Sequence, residues 1–250
     1  MNWQLTNQSL CQIKGISPSL EIQLRKAGVR TVAQLDTCCC HCFSEKRVQS
    51  VREAVKRFSV FTAAGLTDAV VNAFPCGHRV RVVHDRYDAT AFLDIETDGM
   101  SASSRITCIS VCMSGKMTSY VRGRNLDEFL NVWEAAEVLV SFNGKRFDIP
   151  IIQREFGLSQ VPAQVDLMDE ARHYGLSGGL KSIERMISFA RDPCDCENGE
   201  DAVHFWYDYV NGNQESLADL VAYNRADVLS LVALYRYLLP LSLENGNFVL

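Results

Sequence analysis

Four acidic residues stand where carboxylates are costly: Asp94 and Glu96 in AFLDIETDG, Asp148 in SFNGKRFDIP, and Asp227 in AYNRADVLSLV. The first two close the apolar run Ala91 to Leu93, which predicts a buried strand. Alternate residues of a strand share a face, so Asp94 and Glu96 point the same way. Like-charged carboxylates held close together repel, and burial raises that cost, so such a cluster implies a bound cation. Oxygen donors with no His or Cys among them suit a hard divalent ion, Mg²⁺ or Mn²⁺. Several carboxylates together suit two such ions in phosphoryl transfer.

The elements that must carry these groups can be read around them. Apolar residues recur at helical spacing from about Ser216 to Leu238, and on that wheel Asp227 falls beside Leu220, Leu231 and Leu234, on the packed side. Tyr223 lies one turn earlier on the same face, where its hydroxyl could orient an attacking water. Bland readings exist for each group alone. Asp148 could cap a helix that has Pro150 just inside it. Asp94 and Glu96 could end a solvated strand, and Asp227 could pair with Arg225 or a distant Arg.

The three stretches DIET, FNGKRFD and YNRAD resemble the three exonuclease motifs of the DEDD superfamily, in its Tyr-bearing branch. The second motif is similar to that of the proofreading domains of family B DNA polymerases. The segment from GGLKSIERMISFAR to VLSLVALY resembles a family of predicted ribonuclease H-like exonucleases of prokaryotes, and the likeness runs from about Thr90 to Leu239. It implies a ribonuclease H-like fold, two Mg²⁺ or Mn²⁺ ions held by Asp94, Glu96, Asp148 and Asp227, and release of nucleoside 5′-monophosphates from 3′ ends of single-stranded DNA or RNA. By the same resemblance Asp94 bridges both ions. Glu96 and Asp227 join it on the ion that activates water, Asp148 supports the other, and Tyr223 orients the water. Asn143 and Phe147 set the strand end and pack under the site. Lys181 in GGLKS is a candidate for the substrate phosphate, and Asp166 either touches the rim or caps the next helix.

The expected fold class is therefore α/β, a mixed sheet flanked by helices. Strands are predicted at Ala91 to Ile95, in RITCISVCM and KMTSYVRG joined by a Ser114-Gly115 turn, and in EVLVSFN, with helices from Leu126 to about Ala136 and after Asp148. Before this unit, residues 1–66 read as a small all-α domain. A helix precedes Lys14-Gly15, a turn falls at GISPS, a helix runs through Lys26 and another begins near Thr31, which resembles a helix-hairpin-helix module. In that family the hairpin presents backbone N–H groups to a phosphate, so Lys14 and Gly15 are candidate nucleic-acid contacts. Ser17 stands where a second glycine is usual. Residues 67–88 read as a linker with a possible edge strand at Arg79 to Val83, and residues 89–250 as the nuclease unit.

Charge is uneven. The net charge is −5, yet residues 1–60 hold nine Lys/Arg against four acids, net +5, which leaves −10 on the other 190. A basic module beside an acidic metal site fits a phosphate-gripping partner. No apolar run reaches the length of a membrane span and no secretory leader is visible, so a cytoplasmic protein is expected, with its ten Cys reduced. The CCCHC cluster at Cys38 to Cys42 holds one Cys-x-x-Cys spacing. It would make a metal site only if His41, Cys76, His78 or the Cys194/Cys196 pair completed it, and otherwise reads as a loop between helices. Two rival functions remain open: a catalytically silent nucleic-acid-binding or assembly module, and a structure-specific endonuclease on the same fold.

Overall fold

A computed structural model describes residues 3–38, 43–99, 101, 103–191 and 199–243. Six helices come first: α1 (Gln4–Gln8), α2 (Pro18–Lys26), α3 (Val32–Cys38), α4 (Glu45–Ala63), α5 (Thr67–Ala73) and α6 (Val80–Asp85). Strands β1 (Thr90–Thr97), β2 (Ile106–Met113) and β3 (Lys116–Val121) follow, then α7 (Phe129–Ala135), β4 (Val138–Ser141), α8 (Asp148–Phe156), β5 (Ala163–Asp166), α9 (Leu167–His173), α10 (Leu180–Met186), α11 (Gly199–Val210) and α12 (Glu215–Leu243). The sheet order is β3-β2-β1-β4-β5. β1 runs antiparallel to β2 and parallel to β4, so the strand that carries Asp94 and Glu96 is the central one. This is the expected ribonuclease H-like mixed sheet with helices on both sides, preceded by a helical region.

The pleat of β1 sorts its residues between two cores. Ala91, Leu93 and Ile95 pack with Phe129, Trp133, Ile149 and Ile152 from α7 and α8. Phe92 faces the other way, toward Leu231, Leu234 and Tyr235 of α12. By the same alternation Asp94 and Glu96 face α12. The β1/β2 register slips between Glu96 and Thr97, a bulge at the strand end that bears the second carboxylate.

The stretch expected as a linker is helical. Val80, Val82 and Val83 are fully buried in α6, as is Val70 in α5, and no edge strand forms at Arg79 to Val83. Each such side chain contributes roughly 1.5–3 kcal/mol on burial, so this segment belongs to the core. That core runs without a break from Trp3 and Leu10 through Phe58 and Phe74 to Phe92 and Leu238. Polar contacts reinforce the junction. Asp85 at the end of α6 accepts hydrogen bonds from the N–H groups of Leu5 (2.8 Å) and Thr6 (2.7 Å) at the start of α1. The Arg86 guanidinium lies 3.6 Å from the centre of the Trp3 ring.

In the N-terminal region helices occur where the hairpin-like pattern places them. Ser17 caps α2 through its Oγ, with Pro18 at the first helical position. Cys39 to Cys42, Cys194 and Cys196 lie outside the described residues. Cys76 is engaged otherwise, its Sγ donating to the Asp169 carbonyl at 3.0 Å. Helix α12, at 29 residues, is long and apolar enough on average to cross a bilayer, a property that counting unbroken apolar runs overlooks. It nevertheless buries Asn224, Ser230 and Ser242 along with its leucines, packing against β1, β2 and α11 as the fold's central helix.

Candidate metal centre

Strand β1 and helix α12 bring three carboxylates together. One oxygen from each of Asp94, Glu96 and Asp227 lies within 4.8 Å of the other two, and among the described residues no other trio of His, Cys, Asp or Glu does this. Asp148 stands beside them as the first residue of α8, buried. Its position rules out the capping role: Phe147 is the N-cap, and Asp148 Oδ1 instead accepts the backbone N–H of Ile95 (3.2 Å), between Asp94 and Glu96. All four carboxyls are pushed above the usual range. Burial is the first cause throughout, and their mutual repulsion adds to it for Asp94, Glu96 and Asp148, the last reaching about 7. Repulsion of that kind is relieved by a cation.

Two residues that the sequence does not single out complete the cluster. Asn224, fully buried one turn before Asp227, donates from Nδ2 to Asp94 Oδ2 at 2.8 Å and also favours the charged form of Glu96. Arg191 donates to Asp227 Oδ1 and grips Glu184 with Nε at 2.9 and 2.8 Å from its two oxygens. Asp227 thus pairs with this distant Arg. Arg225 turns instead to Ser119, its Nε 2.8 Å from Oγ. Lys181 at the start of α10 reaches the same place: its Nζ sits 5.0 Å from the centre of the Tyr223 ring and its charge acts on Glu96 and Asp227. Tyr223 itself is buried against Leu220 and Trp206.

The loop between β4 and α8 is shaped by packing. Asn143 adopts a left-handed conformation (φ 60°), and its N–H donates to Asp166 Oδ1 at 2.8 Å. Asp166 also accepts from the Met168 N–H at 3.1 Å, so it caps α9 and pins this loop, while its charge adds to the repulsion at Asp148. Gly144 has no room for a side chain: a Cβ there would lie 2.1 Å from Ser141 Oγ and 3.2 Å from Asp148 Oδ2. Phe147 corrects an expectation. It is 37% exposed and does not pack beneath the carboxylates. Lys14 and Gly15 lie apart from the cluster, lining a cavity of about 450 Å³ with Ser50, Arg57 and Asn72, and the Gly15 carbonyl accepts from Arg47 Nη2 at 2.9 Å.

The model of the RNase H superfamily matches residues 91–239, well over half of the chain and all four carboxylates. The chain belongs to the ribonuclease H superfamily. Among solved structures, the family B DNA polymerase from the hyperthermophilic archaeon Pyrobaculum calidifontis is similar, with a TM-score of 0.50 and 18% identity. The likeness covers 60% of this chain and 24% of the polymerase, so only about a quarter of that protein is represented, and it bears on the fold alone. No curated protein matches this chain. The matched residues include the central strand β1 with Asp94 and Glu96 and the part of α12 that carries Asp227.

Proposed function

We propose that this ribonuclease H-like protein is a metal-dependent nuclease that removes nucleotides from the 3′ ends of single-stranded DNA or RNA. The observation that carries the reading is the trio Asp94, Glu96 and Asp227, drawn from the central strand and α12, with Asp148 adjoining and all four carboxyls raised. An all-carboxylate donor set fits hard divalent ions, Mg²⁺ or Mn²⁺, and Asp94, Glu96, Asp148 and Asp227 are the residues that would hold two of them. Bound there, such ions polarise a phosphoryl oxygen and lower the pKa of water.

The chain's own groups divide the remaining work. Asn224 restrains Asp94 through Oδ2, which leaves Oδ1 for a ligand. Tyr223, a turn before Asp227, orients the attacking water, and Lys181 above its ring meets the scissile phosphate. Phe147, exposed at the mouth of the β4–α8 loop, offers a ring on which a base can stack, with Asn143 shaping that loop. Lys14 and Gly15, on the basic N-terminal region, contact the backbone of the strand away from the cut. The likeness to a DNA polymerase supports a nucleic-acid substrate.

Cleavage of 5′-labelled single-stranded DNA and RNA with Mg²⁺ or Mn²⁺, wild type against Asp94→Ala, tests this reading. The expected result is a ladder shortening from the 3′ end, reduced at least about 10³-fold in the variant. Linearisation of circular single-stranded DNA would replace it with an endonuclease. Metal-independent binding without cleavage would replace it with a silent binding module.

A further inference from the structure

The acid cluster contains a cation of its own. Arg191 follows α10, and its guanidinium, which stays protonated in proteins, lies between two carboxylates. Nη2 donates to Asp227 Oδ1 and to Glu184 Oε1, while Nε holds both Glu184 oxygens. The two ion pairs are unequal. Glu184 receives a bidentate fork and Asp227 a single contact, so the guanidinium can leave Asp227 and remain anchored. The Arg191 side chain is not enclosed on every side. A cavity of about 510 Å³ opens beside Arg191, floored by Phe189, Ala222, Ala226 and Leu229. Nη1 is buried without a hydrogen-bond partner among the described residues, so the contact with Asp227 leaves the guanidinium incompletely satisfied.

Asp227 is at the same time one of the three carboxylates whose oxygens converge within 4.8 Å. A divalent ion ligated by that trio and a guanidinium on Asp227 Oδ1 compete for one carboxylate and repel each other. We propose that Arg191 is the resident counter-cation of the site: it neutralises Asp227 when the divalent ion is absent and withdraws onto Glu184 as the ion enters. The inference rests on the metal reading above. Because linkage is reciprocal, whatever holds Arg191 on Asp227 weakens ion binding by the same factor.

Calorimetric titration of the full chain with MnCl₂ tests this by the direction of the change. Arg191→Gln removes the competitor and is expected to bind Mn²⁺ about tenfold more tightly. Glu184→Gln removes the anchor, leaves the guanidinium on Asp227, and is expected to bind about tenfold more weakly. Combined with Arg191→Gln, the Glu184→Gln change is expected to alter affinity much less than it does alone, because only its direct charge on Asp227 then remains. A purely architectural Arg191 gives the opposite sign, since losing it would loosen Asp227 and weaken the ion. Should Arg191→Gln fail to fold, Arg191→Met, which keeps much of the apolar stem and removes the charge, replaces it with tighter binding expected. Unchanged or weaker binding by the Arg191 variants, or a Glu184→Gln effect that is undiminished without Arg191, overturns the proposal. If wild type binds Mn²⁺ and the variants do not shift it, only this inference falls. If wild type binds none, the metal reading falls with it.

Discussion

Two clusters of charge lie along α12, one at its C-terminal end and one near its middle, and they are built on opposite plans. At the C-terminal end Glu21 lies among Arg25 and Arg81: its Oε2 is 3.3 Å from Arg81 Nη1 and its Oε1 accepts the Leu10 N–H at 2.7 Å, while Arg81 also reaches Ser9 Oγ and the Ser242 carbonyl. One carboxylate meets two guanidinium groups and a backbone donor there. Near its middle α12 meets β1, where four carboxylates share one Asn, one Lys and one Arg already divided with Glu184. The first arrangement leaves its carboxylate fully partnered and stitches the N-terminal helices to the last helix. The second is short of positive charge. A surplus of buried carboxylates is maintained against a stability cost, and that distinguishes a site from a staple.

The comparison breaks most sharply under paired substitution. Arg81→Met removes one of Glu21's two guanidinium partners together with the link to the Ser242 carbonyl, and is expected to cost about 3 kcal/mol of unfolding free energy in urea. Asp94→Asn relieves repulsion and is expected to raise metal-free stability by about 1 kcal/mol while abolishing cleavage. Equal destabilisation by both would erase the distinction. A pH series sharpens it next. Asp148 and Glu170 are both pushed up to about 7 by burial. A carboxyl whose folded pKa exceeds its unfolded value near 4 keeps its proton longer in the folded state, so its stabilising effect is present at low pH and is lost as pH rises through about 7. The unfolding free energy of metal-free protein, and with it the urea midpoint, is therefore expected to fall between pH 5 and pH 8, the free energy by an amount on the order of 1–3 kcal/mol, and Asp148→Asn should flatten part of that slope. A midpoint that rises over this interval contradicts the assignment. The smallest effect concerns the loop. Gly144→Ala drives a Cβ into Ser141 and is expected to cost about 1–2 kcal/mol, with recovery when Ser141→Gly is added. Failure of the second change to rescue the first would place the strain elsewhere.

Much of this was legible in the residues themselves. Apolar Ala91 to Leu93 ahead of Asp94 marks β1, and the helical repeat of α12 already sets Tyr223 and Asp227 on its buried side, because both signals rest on local periodicity. The RVRVV run at Arg79 to Val83 misleads for the same reason. Four alternating residues fit a strand, but the burial of adjacent Val82 and Val83 fits a helix enclosed by α1 and α12, which only the tertiary packing reveals. Asn224 had a readable signal, a polar residue on the packed side of an apolar helix one turn from Asp227. Arg191 had none, since its partner Asp227 is 36 residues away and its loop carries no pattern. Phe147 shows the converse: the motif resemblance implied a packed placement, whereas its charged neighbours Lys145, Arg146 and Asp148 fit the exposure it has.

The order in which the carboxylates occur along the chain has a consequence during synthesis. Asp94 and Glu96 emerge early and Asp148 follows, but Asp227 and its Asn224 brace arrive only with α12, whose far end must then reach back to Arg81. A partly made chain can pair β1 with β2 and β4 yet still lacks the third member of the acid trio. Any chelating pocket is thereby withheld from the nascent polypeptide, and a truncated product ending before residue 227 would be left with unbalanced acids and no trap for an ion.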